Sequence, residues 1–199
     1  GQAMESSAAR ATVWRVIDPA PRQLPAYDAV QRALVVLAQA RRPLIVLGKG
    51  AAYAQADNVV RQFVENTGIP FLPMSMAKGL LPDTHPQSAA TARSLAIART
   101  DVVLLVGARL NWLLGHGESP QWSEDTTFVQ VDIEASEFDS NQRIAAPLVG
   151  DIGSVMSALC DAVAARPFAA PAEWTGELAD RKARNDAKMR ERLGEDPQP

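Results

Sequence analysis

The sequence has one cysteine, Cys160, and two histidines, His85 and His116, among its 199 residues. A lone thiol excludes an internal disulfide, and its small apolar neighbours suit a packed side chain better than a nucleophile. The histidines fall in separate loops without neighbours at metal-ligand spacing, so both read as surface loop residues and no metal site is expected. Aromatic residues make up 6% and the net charge is -3. A chain without a basic excess or a supply of stacking rings is poorly made for nucleic acid, which is set aside as a partner. The longest apolar runs, Leu44 to Leu47 and Val102 to Val106, fall far short of the roughly 20 residues of a membrane helix. No basic-then-apolar leader precedes Trp14, so no membrane association is expected and the expected location is the cytoplasm. No Gly-x-Ser-x-Gly turn accompanies Ser75 or Ser119, and Glu118 and Glu124 read as solvated loop acids. No catalytic residue is expected within the chain.

What is present is a large apolar fraction, 47%, arranged in short blocks. A domain of this length buries roughly 70% of the surface its unfolded form exposes. The block Pro43 to Leu47 has no polar alternation and runs into Gly48-Lys49-Gly50, the pattern of a central buried strand that ends in a tight turn. Exposed backbone N–H groups there, together with the Lys49 ammonium, are suited to an anion at the start of the next helix.

The same strand-then-helix pattern recurs along the chain. Tyr27 to Gln39 carries apolar residues at helical spacing and is closed by Pro43, and Ala56 to Asn66 does the same before Thr67-Gly68. Ile69 to Leu72, Asp101 to Val106, Thr127 to Val131 and Pro147 to Val149 read as further strands. Ser88 to Arg99 and Ile152 to Ala164 read as helices. Regular alternation of this kind argues for an α/β, Rossmann-like open parallel sheet of about five or six strands with helices on both faces. The termini differ: residues 1–26 and 166–199 read as linkers around a central domain at 27–165. In the second of these only Trp174, Leu178, Met189 and Leu193 interrupt a mixed-charge helix, a stripe better suited to a neighbouring domain than to a free helix.

Ligands in open α/β sheets gather beyond the carboxyl ends of the strands. At those ends stand Gly48, Lys49 and Gly50, then Gly107 and Arg109, then Asp132, and finally Gly150 and Asp151. Cations for a diphosphate and carboxylates for ribose and adenine suit a nucleotide. Asp151, just before Ile152, serves equally well as an ordinary helix N-cap. Tyr53 stands where the third glycine of the dinucleotide fingerprint belongs, and the P-loop spacing also fails, which speaks against a plain NAD site or an NTPase.

The runs Pro43 to Tyr53, Thr67 to Gln87, Gly107 to Trp112 and Asp132 to Gly153 closely resemble the middle domain of the oxalyl-CoA decarboxylases, in the thiamin-diphosphate-dependent decarboxylase superfamily. The resemblance extends from about Trp14 to Ala164. It implies a central domain between a pyrimidine-binding and a pyrophosphate-binding domain, in an enzyme that uses thiamin diphosphate and Mg2+, acts on a CoA thioester and forms a homo-oligomer. The family's metal-binding Gly-Asp-Gly is missing, since Gly150-Asp151 continues into Ile152. Thiamin diphosphate and Mg2+ are therefore expected on the flanking domains, and the excised chain is expected to be inactive. The resemblance also implies ADP as an activator held here. Lys49 and Arg109 would contact phosphate or ribose, Asp132 the ribose, Ile133 the base, and Asp151 with Ile152 the adenine end. Arg93 and Ser94 are candidates for CoA contacts. The competing expectation is a structural spacer of a related 2-hydroxyacyl-CoA lyase that binds no nucleotide.

Overall fold

The computed structural model describes residues 21–194. Most of the expected linker at 1–26, and the side chain of Leu193, lie outside the described residues. In chain order the elements are α1 (Tyr27–Ala38), β1 (Pro43–Leu47), α2 (Lys49–Tyr53), α3 (Asp57–Thr67), β2 (Phe71–Pro73), α4 (Arg93–Arg99), β3 (Val102–Val106), β4 (Thr127–Asp132), β5 (Ile144–Val149), α5 (Ile152–Ala165) and α6 (Ala172–Gly194). The strands form one five-stranded sheet in the order β2-β1-β3-β4-β5, and every pair is parallel. The sequence reading of an α/β parallel sheet holds, with the strand number at the lower of the two expected values.

Strands β1 and β3 are buried along their whole length, as continuous Val, Leu and Ile runs demand. Alternate residues feed two cores. Ile45, Leu47, Leu104, Val106, Val129 and Val131 pack under α1, α2, α3 and α5. Leu44, Val46, Val103, Leu105 and Phe128 pack on the other face with Ala96 and Ile97 of α4, Trp122, and Trp174 and Leu178 of α6. The first turns of α6 thus bury the indole of Trp174 against the sheet, where Nε1–H donates to the Pro43 carbonyl at 2.9 Å. The thin stripe read from the sequence divides: Trp174 and Leu178 bury in this domain, and Met189 is 57% exposed.

Three element boundaries depart from the sequence reading. The turn after β1 folds into a short helix, α2, before α3 begins. Strand β5 starts at Ile144, ahead of Pro147, because an edge strand accommodates a residue without an N–H. The expected helix from Ser88 begins only near Arg93. The backbone ahead of it is captured by the other sheet edge: Phe71 N–H donates to Gln87 O, and Ala89 N–H donates to Phe71 O. His85 is not a plain surface residue either. Its Nδ1 accepts the Gln87 N–H, its Nε2 stands 3.7 Å from Glu65, and its ring packs edge-on against Phe71. Gly68 caps α3 in the left-handed conformation expected of it, at φ 63°.

Candidate functional site

The chain leaves β1 toward β2 on one side and returns to β3 on the other, so the connections diverge at the carboxyl ends of β1 and β3. A crevice at that divergence is the usual binding position in such sheets. Gly48 and Gly107 close its floor. The Gly48 N–H donates to Val106 O, the Gly50 N–H to Gly107 O at 3.0 Å, and the Gly107 N–H to Val131 O. These bonds correct one expectation. The N–H groups of Gly48 and Gly50 are not open to an anion, because joining adjacent strand ends satisfies them inside the fold. What the glycines contribute to the crevice is its shape, and anion attraction falls to side chains.

Above this floor lies a cavity of about 690 Å³, within the range of roughly 300–1,000 Å³ common for small-molecule sites. Gly48, Lys49, Gly50, Arg109, Asp132, Ile133, Asp151 and Ile152 all line it. Lys49 leaves β1 at the first turn of α2, and its Nζ lies 4.9 Å from the centre of the Tyr53 ring. Arg109 follows β3 and is paired through Nε with Glu137 Oε2 at 3.0 Å, with the arginine side chain 59% exposed. Asp132 ends β4 and is buried; its Oδ1 accepts the Glu134 N–H at 3.1 Å. Ile133, next in the chain, is 51% exposed and offers an apolar wall. Asp151 is the N-cap of α5, with Oδ2 accepting both the N–H and the hydroxyl of Ser154 at 2.9 Å. The ordinary cap reading of Asp151 is therefore realised at a position that also faces the cavity.

Sequence reasoning missed part of the lining. Tyr53, noticed only for breaking the glycine fingerprint, supplies the ring beside Lys49. Met74, Ser75 and Met76, Asn111 and Leu113, and Glu134 also face the space. Met74 to Met76 directly follow β2, so the strand-end rule pointed to them, but their mixed character carried no specific chemistry. Glu137 was unreadable as the partner of Arg109 because the ion pair joins loops after different strands. Arg93 and Ser94 do not reach the cavity: Arg93 Nη1 lies 3.8 Å from the Met74 sulfur, and Ser94 is exposed. A larger hollow of about 880 Å³ runs between Gly68, Ser88 and α6, toward the amino ends of the strands.

The residues present do not fit thiamin diphosphate with its metal. Among the described residues no three His, Cys, Asp or Glu side chains stand close enough to hold a metal ion. The one Gly-Asp in the sequence engages its carboxylate in capping α5. No described helix is long and apolar enough to cross a membrane.

The family described as "Thiamine pyrophosphate enzyme, central domain" matches residues 30–159. Oxalyl-CoA decarboxylase of Escherichia coli (strain K12) is 53% identical over 196 residues, 98% of this chain and 35% of that protein. 2-Hydroxyacyl-CoA lyase of Arabidopsis thaliana is 45% identical over 85% of this chain and 30% of that protein. The chain thus spans about a third of the length of the curated relatives it matches. A solved structure from Mycobacterium smegmatis, described as a thiamin diphosphate-dependent enzyme, superimposes with a TM-score of 0.62 at 22% identity, over 74% of this chain and 30% of that one. At that identity the likeness speaks for the fold alone.

Proposed function

The chain belongs to the thiamine pyrophosphate enzyme central-domain family, and on that footing we propose that it is the regulatory, ADP-binding central domain of an oxalyl-CoA decarboxylase. The parent enzyme would convert oxalyl-CoA to formyl-CoA and CO2, with thiamin diphosphate and Mg2+ on the flanking pyrimidine- and pyrophosphate-binding domains. Thiamin diphosphate supplies the electron sink for such chemistry. This segment contributes no catalytic group and is inactive alone. We further assign the CoA thioester as substrate, a homo-oligomer as the working form, and 27–165 as the nucleotide-binding unit between connecting ends.

The observation that carries the reading is the charge arrangement around one cavity at the sheet's switch point. Lys49 and Arg109 supply cations on the loops after β1 and β3, and Asp132 and Asp151 supply carboxylates at the ends of β4 and β5. A diphosphate suits the first pair and an adenosine the second, with Ile133 and Ile152 as apolar surface for the base. Calorimetric titration of the chain with ADP tests it, and binding that weakens in Arg109→Ala is the expected result. Absence of binding in the parent enzyme as well would overturn it.

The identity to 2-hydroxyacyl-CoA lyases favours a second reading, a structural spacer in an enzyme of that kind. In that case Lys49→Ala with Asp132→Ala leaves the parent enzyme's response to ADP unchanged.

A further inference from the structure

Resting on the nucleotide reading above, we propose that Asp132 makes the cavity selective against adenosine carrying a 3′-phosphate, so that it accepts ADP and refuses coenzyme A. Asp132 is only 7% exposed yet lines the open space, at the point where β4 ends. Among the described residues no Lys, Arg or His forms an ion pair with it. Its Oδ1 takes the Glu134 N–H, which leaves Oδ2 and the remaining lone pairs for donors from a ligand. A half-closed, uncompensated carboxylate asks for O–H groups, and the 2′- and 3′-hydroxyls of a ribose are such donors.

A 3′-phosphate reverses this match. It replaces one donor with a dianion and sets that dianion against a carboxylate held in place by the end of a strand. Glu134 and Asp151 border the same cavity and add negative charge, and Arg109, the cation on the adjoining strand end, is already paired with Glu137. Repulsion between like charges a few ångström apart in a partly desolvated site lowers affinity by at least about tenfold. The cations that attract phosphate, Lys49 and Arg109, sit on the loops after β1 and β3 and leave the 5′-diphosphate unaffected.

The selectivity matters because the relatives act on CoA thioesters by name, and coenzyme A contains an ADP moiety. An ADP site without such a guard would be open to competition from the coenzyme. A carboxylate at the ribose separates the two ligands by the one phosphate in which their adenosine diphosphate parts differ.

The test titrates the full 199-residue chain with ADP, with adenosine 3′-phosphate 5′-diphosphate and with coenzyme A, and repeats the series on Asp132→Asn. ADP should bind, and both 3′-phosphorylated ligands should bind at least about tenfold more weakly. Asp132→Asn retains an oxygen for the Glu134 N–H and should narrow the difference between the first two ligands to about threefold or less. Equal binding of those two by the unaltered chain, or a difference that survives Asp132→Asn, would overturn the selectivity while leaving the ADP site standing. Failure of ADP to bind both this chain and the parent enzyme would overturn both, and where only the parent enzyme binds ADP the same series is read on it.

Discussion

Gly48 and Gly107 touch backbone to backbone: a Cβ on Gly48 would fall 2.2 Å from the Gly107 carbonyl oxygen, and one on Gly107 would fall 2.5 Å from the Ala51 nitrogen. Gly107 also holds φ 57°, where a side chain is strained regardless of space. Gly107→Ala is expected to destabilise the chain by roughly 2 kcal/mol or more. Gly176→Ala is the control, since a Cβ there meets nothing within 4 Å. Within helix α6 that change should be neutral or stabilising by about 0.5–1 kcal/mol. Urea unfolding midpoints of both variants check the contrast.

Arg109 and Glu137 should act in opposite directions on ADP affinity. Arg109→Ala removes the donor fork and is expected to weaken binding about tenfold or more. Glu137→Gln releases the arginine from its 3.0 Å partner, so that phosphate no longer displaces a carboxylate, and should tighten binding a few-fold. Calorimetry at low salt reads both. Added salt should weaken the unaltered chain's binding, since Arg109 is largely exposed.

Cys160 offers a pH signature. Burial pushes its thiol up to about 11 from the ordinary 9.0, and the neighbouring Asp161 carboxylate acts in the same direction. The folded chain therefore keeps a proton that the unfolded chain releases between those values. The contribution to stability is present below pH 9 and is lost as pH rises toward 11. Cys160→Ala should flatten the stability curve over that interval. A thiol reagent at neutral pH should label native Cys160 only as fast as the domain opens.

Trp174 ties α6 to the start of β1. Trp174→Ala should cost roughly 3–5 kcal/mol, because the side chain is fully enclosed. Trp174→Phe keeps most of the volume and leaves the Pro43 carbonyl without its indole donor, for an expected cost of about 1–3 kcal/mol. Thermal unfolding of the two variants should show that order.

Local signals were sufficient for the sheet. Unbroken apolar runs at β1 and β3, β-branched residues in β4 and Gly68 after α3 each specify their element within a few residues. The candidate site was legible to the same extent, since strand ends are places that a sequence can name. Pairings between distant loops were not. Nothing near Arg109 in the chain announces Glu137, and nothing near Trp174 announces the Pro43 carbonyl. His85 shows the same limit, because its loop position says nothing of Glu65 and Phe71 coming to meet it.

The contact between Gly48 and Gly107 separates what can drift in this site from what cannot. The cradle is made of main chain pressed on main chain, so a replacement at either glycine finds no permissive substitution at the other. Lys49, Arg109 and Ile133 line the cavity from the loops after β1, β3 and β4, and none of them takes part in that main-chain contact, so single exchanges at Lys49 and Ile133 are expected to leave it in place. One frame can therefore be refitted to different ligands by changing its furnishings, and ligand choice is free to evolve faster than the fold that presents it.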